Sequence, residues 1–265
     1  MGVECYAVAS RNLEKADAFA KEYGFKKAYG SYEKLASDSA VDLIYIATPH
    51  SHHHEFAKLC IEHGRNILVE KAFTANAKLA SEVIALAHDK GVFLCEAMWT
   101  RFLPALEKIR HWIRDGRIGN VETVEADFSM KLSDRERMHN PSLASGALLD
   151  IGIYSLTFAD LFLGERKTSD GNFVRNEITS MDCKCIKFET GVDAHYRTTQ
   201  GLGFEWGTLV CYSEGCAAKY CVCVKWLRLH KAIWRYFPPE GFSFHYRKPL
   251  AGRRTRDIFQ DPSYT

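Results

Sequence analysis

The stretch Asn66-Ile67-Leu68-Val69-Glu70-Lys71 is a short apolar run that ends in a carboxylate and a lysine. The next apolar run along the chain, Val92-Phe93-Leu94-Cys95, leads into a segment that contains Trp99 and Arg101. If both runs are strands of an open parallel sheet, their carboxyl ends meet at the edge where such sheets bind ligands. The sequence therefore predicts a ligand site at this edge.

The first 120 residues alternate apolar runs with helical patterns, which predicts a parallel sheet with crossover helices. Asn12 and Thr74 are expected to cap helices, because their side chains suit the first position before a helix. The predicted strands are at 3–10, 42–47, 66–70 and 92–96. The predicted helices are at 13–23, 55–63, 74–90 and 102–114.

The remainder of the chain has a different pattern. It predicts an antiparallel strand at 121–128, a helix at 146–164 and strands at 181–188, 208–212, 220–226 and 242–246. We therefore expect an α/β protein with two domains. Residues 1–98 would form a truncated Rossmann-like parallel sheet domain, and residues 99–265 an α+β domain with an open, mostly antiparallel sheet.

Composition restricts the class of protein. The 265 residues are 46% hydrophobic and 26% charged, as in a globular protein. No apolar run approaches the roughly 18 residues of a membrane span, and residues 1–5 do not resemble a secretory signal. The net charge of +2 gives no reason to expect nucleic acid. We expect a cytoplasmic protein that binds neither a membrane nor nucleic acid.

Several segments resemble one family of oxidoreductases. Glu70-Lys71 resembles the Glu-Lys-Pro signature of the glucose–fructose oxidoreductase (GFO/IDH/MocA) family, with Ala72 in place of the proline. Further segments are similar to the branch of dihydrodiol dehydrogenases and NADP-dependent D-xylose dehydrogenases, namely Cys95–Pro104, Gly146–Tyr154 and Thr190–Asp193. The resemblance implies NADP-dependent oxidation of a sugar anomeric hydroxyl or a cyclic trans-diol, and a possible homodimer.

The resemblance also implies the catalytic residues Lys71 and Tyr154, and Asp150 completes the predicted catalytic set. Oxidising an alcohol requires a group that removes the hydroxyl proton, and such a base works best near the operating pH. A free tyrosine titrates near 10, so its pKa must fall by about 2–3 units, or roughly 3–4 kcal/mol. An ammonium about 4 Å away supplies on the order of 4 kcal/mol at an effective dielectric of about 20. Tyr154 is thus expected to transfer the proton, with Lys71 as its activating charge.

Other residues are expected to contact the substrate. Asp150 precedes Tyr154 by one helical turn, so both lie on one face. Its carboxylate either accepts a substrate hydroxyl or is an ordinary surface group. Trp99, Arg101 and Phe102 are expected to wall the substrate pocket, with a place in the core as the alternative for Trp99.

The expected cofactor is NADP. An arginine after the second strand of a dinucleotide fold accommodates the 2′-phosphate of NADP, whereas an acid there binds the ribose of NAD. Arg11 occupies this position, next to Ser10. The full set of expected cofactor contacts is Ser10, Arg11, Thr48, Pro49, His50, His53, Glu70 and Lys71.

Two clusters suggest metal sites on first inspection. The pairs Cys183–Cys185 and Cys221–Cys223 are separated by one residue, which is shorter than the usual zinc spacing and suits packing on a strand equally well. The run His50–His54 has no neighbouring ligand set, and consecutive histidines cannot all face one ion. We expect no metal.

One element of a dinucleotide fold is missing from the sequence. Such a fold begins with a strand, a Gly-x-Gly-x-x-Gly turn and a helix whose N-terminus binds the pyrophosphate. The sequence contains no such turn, and the run at 3–10 corresponds to the second strand. About 25–35 residues would form the missing unit. The alternatives to an enzyme are therefore a non-catalytic dinucleotide or sugar binder and an inactive, unstable fragment with an unpaired sheet edge.

Overall fold

The computed structural model describes residues 3–119, 121, 124–129, 132, 134–168, 170–201 and 206–212. Predictions for later residues lie outside this range, namely the strands at 220–226 and 242–246 and the Cys221–Cys223 pair. In the first half, strands and helices alternate in the order β1 (Ala7–Ala9), α1 (Leu13–Tyr23), β2 (Lys27–Tyr29), α2 (Tyr32–Ser37), β3 (Leu43–Ile46), α3 (His50–Glu62), β4 (Asn66–Val69), α4 (Ala77–Lys90) and β5 (Leu94–Glu96).

The second half begins with a 3₁₀ turn and also contains a π-helical turn. Its elements are the 3₁₀ turn Trp99–Phe102, α5 (Pro104–Arg114), β6 (Glu125–Ser129), α6 (Glu136–His139), the 3₁₀ turn Pro141–Leu143, the π-helical turn Leu148–Gly152, α7 (Ile153–Leu163), β7 (Glu165–Lys167), β8 (Phe173–Arg175), β9 (Ser180–Lys187), β10 (Asp193–Gly201) and β11 (Trp206–Tyr212).

All strands of the first half pair in parallel, which confirms the predicted fold class. They form two sheets, one of β1 and β2 and one in the order β3-β4-β5. Helices α2, α3 and α4 pack their apolar side chains against β3 and β4, and this core includes Ala36, Ala57, Ile67 and Val83. The carboxyl ends of β3, β4 and β5 therefore lie together at one edge, as the sequence predicted.

The second half contains a four-stranded sheet in the order β6-β11-β10-β9. Strands β9, β10 and β11 are antiparallel neighbours, but β6 is parallel to β11. The prediction of β6 as an antiparallel strand was wrong, because alternation in a sequence reveals which face is buried and not the direction of the partner strand. Helices α5 and α7 pack against β6 through a core that includes Leu106, Trp112, Ala126 and Phe158.

One helical stretch, Pro141–Leu163, has the length and mean hydropathy of a membrane span. It is interrupted by the π-helical turn, and 56% of its most apolar window is buried inside the fold. It contains the buried carboxylate of Asp150. This stretch is therefore the core helix of the second half.

Two helix starts differ from the predictions. Helix α3 begins at His50 instead of residue 55, because His53 and Ala57 continue the buried stripe of Cys60 and Ile61 at helical spacing. Because the run His50–His54 is polar, its sequence does not reveal that His53 belongs to the buried face of the helix. Helix α4 is capped by Asn76, whose side chain accepts a hydrogen bond from the Leu79 amide at 3.1 Å. Thr74, the predicted cap, instead donates to the Asn76 carbonyl at 2.8 Å.

Candidate active site

Lys71 links the two halves of the protein. It follows β4 at the carboxyl edge of the sheet, and its Nζ donates hydrogen bonds to the backbone oxygen of Asp150 at 2.6 Å and to its Oδ1 at 2.9 Å. The preceding residue, Glu70, accepts from the Tyr45 hydroxyl and from the Lys71 amide. The peptide bond between Lys71 and Ala72 is cis. The lysine is thus held from both sides, by the sheet edge and by the second half.

Asp150 is the buried counterion of this lysine. It lies in the π-helical turn, a feature that is frequent at functional sites, and only 2% of its surface is exposed. A second cation, Arg137 on α6, donates from Nη1 to Oδ1 at 2.7 Å. Burial alone would raise the pKa of Asp150, but the charges and hydrogen bonds of Lys71 and Arg137 outweigh it and lower the pKa. The carboxylate therefore stays ionised.

Tyr154 lies on the same face as Asp150, one turn further along the helix. The Lys71 ammonium lies 5.1 Å from the centroid of its ring, a distance typical of a cation–π contact. The Tyr154 hydroxyl accepts a hydrogen bond from Trp99 Nε1 at 3.0 Å. Phe128 contacts the ring edge-on at a centroid distance of 5.2 Å. The structure thus brings together the three residues predicted as catalytic.

A glycine and an aspartate position the turn that contains Asp150. Asp193, at the start of β10, accepts a hydrogen bond from the Leu148 amide at 2.6 Å. Gly146 has a φ of +126°, and a Cβ there would lie 2.1 Å from Asp193 Oδ1. Burial raises the pKa of Asp193, although the amides that it accepts from act in the other direction. The close approach requires glycine, which explains the Gly146 of the sequence motif.

His53 does not present an atom to a cofactor. It is fully buried, and its Nδ1 and Nε2 lie 2.8 Å and 2.7 Å from the carbonyl oxygens of Ala72 and Thr48. The prediction of a direct cofactor contact does not fit this geometry, because both ring nitrogens already face backbone acceptors. Instead, His53 joins the loop after β3 to the segment that follows Lys71.

His50 contacts the second half of the protein. Its Nδ1 lies 3.2 Å from the backbone oxygen of Ala144. Burial lowers the pKa of His50, which favours the neutral ring. His50 is predicted to lie beside the nicotinamide. It is the first residue of α3, which places it next to the carboxyl edge of the β3-β4-β5 sheet.

The chain fits the two ends of a dinucleotide better than its middle. Ser10 and the exposed Arg11 follow β1, in the position expected for the adenosine ribose. At the other end, Thr48 Oγ1 and Ser51 Oγ are buried and have no hydrogen-bond partner among the described residues. These 265 residues contain no Gly-x-Gly-x-x-Gly turn of the kind whose amides bind a pyrophosphate.

The predicted substrate residues separate into two groups. Trp99 is half exposed while its indole N–H contacts Tyr154, so it lies at the site and not in the core. Phe102 is largely exposed. Arg101 pairs with Asp160 of α7 at 3.0 Å, and Arg175 pairs with the same carboxylate at 2.7 Å. The structure places Arg101 in this ion pair rather than against Tyr154.

Sequence reasoning missed three residues of the site. Arg137 lies outside every motif, and only the structure shows that it contacts Asp150. Phe128 is predicted to lie on a strand, with no role in the site. Glu96 is the last residue of β5, within the motif Cys95–Pro104, and accepts a hydrogen bond from the Phe73 amide at 2.9 Å. Burial raises the pKa of the Glu96 carboxyl above its ordinary value.

The described residues contain no group of three or more side chains arranged to bind a metal. His54 instead pairs with Glu82 at 2.9 Å. Cys183 lies near the hydroxyls of Tyr196 and Thr198, at 3.4 Å and 3.2 Å. These contacts agree with ordinary packing of the cysteine on strand β9.

Two family models match the chain. A model described as an oxidoreductase family with an NAD-binding Rossmann fold (GFO_IDH_MocA) matches residues 2–97. A GFO/IDH/MocA C-terminal domain model matches residues 106–211. Together the two models span most of the residues that the structure describes.

Curated relatives are dehydrogenases. The chain is 40% identical over 188 residues to a trans-1,2-dihydrobenzene-1,2-diol dehydrogenase of Xenopus tropicalis, covering 71% of this chain and 54% of that protein. It is 38% identical over 187 residues to the human protein of the same name, covering 71% of this chain and 53% of that protein. The chain thus spans about half the length of the curated relatives that it matches.

Solved structures share the fold. A levoglucosan dehydrogenase in its apo form is 20% identical, with a TM-score of 0.69 over 79% of this chain and 58% of that chain. KijD10, a 3-ketoreductase from Actinomadura kijaniata in complex with NADP, is 23% identical, with a TM-score of 0.69 over 80% of this chain and 63% of that chain. At this level of identity the likeness concerns the fold alone.

Proposed function

Because this chain belongs to the GFO/IDH/MocA oxidoreductase family, we propose that it has the site of an NADP-dependent dehydrogenase. The proposed substrate is a cyclic trans-diol or the anomeric hydroxyl of a sugar such as D-xylose. The observation that supports this most strongly is the contact of Lys71 with both Asp150 and Tyr154 across the two halves.

Each side chain of the cluster has a proposed task. The substrate hydroxyl would hydrogen-bond to the Tyr154 oxygen, which takes its proton. To take this proton the tyrosine must be the phenolate, and the Trp99 N–H, which already donates to its oxygen, would stabilise that negative charge. The nearby Lys71 ammonium adds a second stabilising charge. When bound, the dinucleotide supplies the acceptor for the hydride of the substrate carbon.

Asp150 and Arg137 act on the lysine rather than on the substrate. The Asp150 carboxylate accepts from both cations and so fixes the direction of the Lys71 side chain. Apolar residues shield the Tyr154 ring from water on its other sides; they are Met98, Phe128, Leu132, Met138 and Ile151. Water exclusion strengthens the charge interactions of the site.

The choice of NADP over NAD rests on Arg11. Its side chain is exposed just after β1 and is free to approach a 2′-phosphate, which an acidic residue in that position would repel. We also expect the protein to act in the cytoplasm, since Cys5, Cys60, Cys95, Cys183 and Cys185 are free thiols.

The test is a turnover assay of the purified chain with NADP⁺, trans-1,2-dihydrobenzene-1,2-diol and D-xylose. We expect NADPH to form with at least one of these substrates. The Michaelis constant for NADP⁺ should be high, because the pyrophosphate has no glycine-rich turn to bind. Absence of NADPH at every NADP⁺ concentration would contradict the proposal.

A second function is a non-catalytic sensor of a sugar or dinucleotide. It is favoured by the missing glycine-rich turn. The same preparation distinguishes the two, because a sensor would bind NADPH, seen as a change in nicotinamide fluorescence, and form no product.

A further inference from the structure

Two groups from neighbouring strand ends contact Tyr154. Lys71 follows β4, and its Nζ lies 5.1 Å from the centroid of the tyrosine ring. Trp99 lies in the 3₁₀ turn after β5, and its Nε1 donates to the tyrosine oxygen at 3.0 Å. Strands β4 and β5 are parallel neighbours. The placement of both groups therefore depends on how the chain leaves these two strands.

The backbone of Glu96 fixes the start of the turn that contains Trp99. Glu96 is the last residue of β5 and pairs with Val69, the last residue of β4. The ladder continues by one more bond, from the Ala97 amide to the Val69 carbonyl at 2.7 Å. The Glu96 carbonyl then accepts from the Met98 amide at 2.8 Å. Trp99 thus follows directly from the end of the strand pair.

The side chain of Glu96 holds the segment that contains Lys71. Its Oε1 accepts from the Phe73 amide at 2.9 Å, two residues after Lys71. Ala72, between them, is almost fully buried and has no ring to fix its φ, as a proline would have. His53 Nδ1 lies 2.8 Å from the Ala72 carbonyl oxygen. Side chains from β5 and α3 therefore hold the backbone of residues 71–73.

The surroundings of the Glu96 carboxylate agree with this task. Burial raises its pKa, whereas the Phe73 amide and the charge of Arg101 act in the other direction. A carboxylate removed from water is costly unless it is hydrogen-bonded, so the bond to Phe73 stabilises this arrangement. The Lys71 ammonium is bonded to Asp150. Glu96 therefore acts on the Lys71 segment through the backbone and not as the counterion of the ammonium.

We propose that Glu96 is a positioning residue that aligns Lys71 and Trp99 against Tyr154. Its side chain sets the segment of the lysine, and its backbone sets the turn of the tryptophan. One residue thus fixes the relative positions of the two groups that stabilise a tyrosinate. The consequence for turnover rests on the function proposed above, whereas the alignment itself does not.

The test is a pH titration of Tyr154 in the full chain, without substrate or cofactor. The ultraviolet absorption of tyrosinate is recorded for each protein and for its partner with Tyr154→Phe, and the difference isolates Tyr154. Glu96→Leu removes the oxygen that holds the Phe73 amide. Because Lys71 and Trp99 then stabilise the tyrosinate less, we expect the Tyr154 transition to move upward by about one pH unit.

Three further variants separate the hydrogen bond from other effects. Glu96→Gln keeps an oxygen that accepts from the Phe73 amide and should leave the Tyr154 transition unchanged. Glu96→Asp keeps the charge but withdraws the oxygen by one methylene, so it should show the upward shift and decides the matter if Glu96→Leu does not fold. Glu82→Leu on α4 is the matched control, since Glu82 pairs with His54 at the surface, and should cause no shift.

The outcomes distinguish this inference from the proposed function. In the turnover assay, Glu96→Leu should lower the turnover number near neutral pH about tenfold, because less tyrosinate is present, and Glu96→Gln should not. An equal Tyr154 transition in the wild-type protein and in Glu96→Leu overturns the inference, as does a shift in Glu96→Gln as large as that in Glu96→Leu. The expected shifts without NADPH formation by any of the proteins support the alignment and contradict the proposed function.

Discussion

Tyr154 and Lys71 come from different halves of the chain, and their contact is the most specific feature of the site. Replacing Tyr154 by Phe removes only the hydroxyl, so the ring keeps its contacts with Phe128 and Lys71. We expect turnover to fall by about 100-fold or more, the usual contribution of a proton-transfer group. Steady-state rates of NADPH formation measure this change.

Phe102→Leu is the matched control for that variant, since the Phe102 side chain is largely exposed. It should change the Michaelis constant for the substrate more than the turnover number. Equal turnover in the wild-type protein and the Tyr154→Phe variant would remove Tyr154 from the mechanism.

Asp150 makes the stability of the protein depend on pH. Its pKa is lowered in the folded state, so its contribution is complete above the unfolded value of about 3.9 and is lost as the pH falls below it. Asp150→Asn leaves the largely buried Lys71 ammonium and the half-exposed Arg137 guanidinium without their counterion and should cost about 3 kcal/mol near neutral pH. Urea unfolding between pH 3 and pH 7 measures the difference.

The difference between the wild-type protein and Asp150→Asn should shrink toward pH 3. The exposed Asp17 on α1 provides the control, because Asp17→Asn should change stability little at any pH. A difference that stays constant over the range would show that Asp150 is not held as a carboxylate.

At the scale of elements, the turn before α7 depends on Gly146. An alanine there would have φ near +126° and its Cβ in contact with Asp193. We expect Gly146→Ala to cost about 2 kcal/mol or more and to reduce turnover, because the turn orients Asp150. Gly64→Ala, with φ +71° and open space around it, should cost about 1 kcal/mol and leave turnover unchanged. Unfolding curves and rates of both variants test the pair.

Helices and strands were predictable from the sequence where capping residues or a clear apolar period mark them. The cap at Asn12 and the left-handed Gly24 defined α1 at both ends. By contrast, β2 and α2 were missed, since three and six residues are too few to show a period. The start of α3 was misplaced because the histidines concealed its buried stripe.

Contacts between distant residues were predictable only through motifs. Lys71 and Tyr154 were paired by resemblance to a family, whereas Arg137 belongs to no motif and was missed. His53 was correctly placed near the site, but sequence could not show that both ring nitrogens face backbone carbonyls. The direction of β6 depended on a partner strand some 80 residues later, beyond the reach of local patterns.

At the scale of the whole molecule, strand β9 offers a surface for self-association. All eight of its residues are exposed, and Met181 and Ile186 are 54% and 65% exposed. Because exposed apolar surfaces of this kind mark interaction sites, we propose a homodimer through this sheet. Ile186→Lys should convert dimer to monomer in sedimentation velocity experiments. Tyr23→Lys, at an exposed position of α1, should leave the dimer intact, and a monomeric wild-type protein would contradict the proposal.

We propose that Lys71 and Tyr154 form a site where hydride leaves a substrate carbon. The most direct test of this proposal is a single-turnover experiment with NADP⁺ and a deuterated substrate. Two substrates are used in turn: D-xylose with deuterium at C1, and trans-1,2-dihydrobenzene-1,2-diol with deuterium at its carbinol carbons. Protein is in excess over substrate, so that even the small fraction of protein that holds NADP⁺ at any moment can convert a measurable share of the substrate. We predict deuterium at C4 of the nicotinamide in NADPH formed by the wild-type protein, and almost none with Tyr154→Phe. Nicotinamide without deuterium, or equal incorporation by both proteins, would contradict the account.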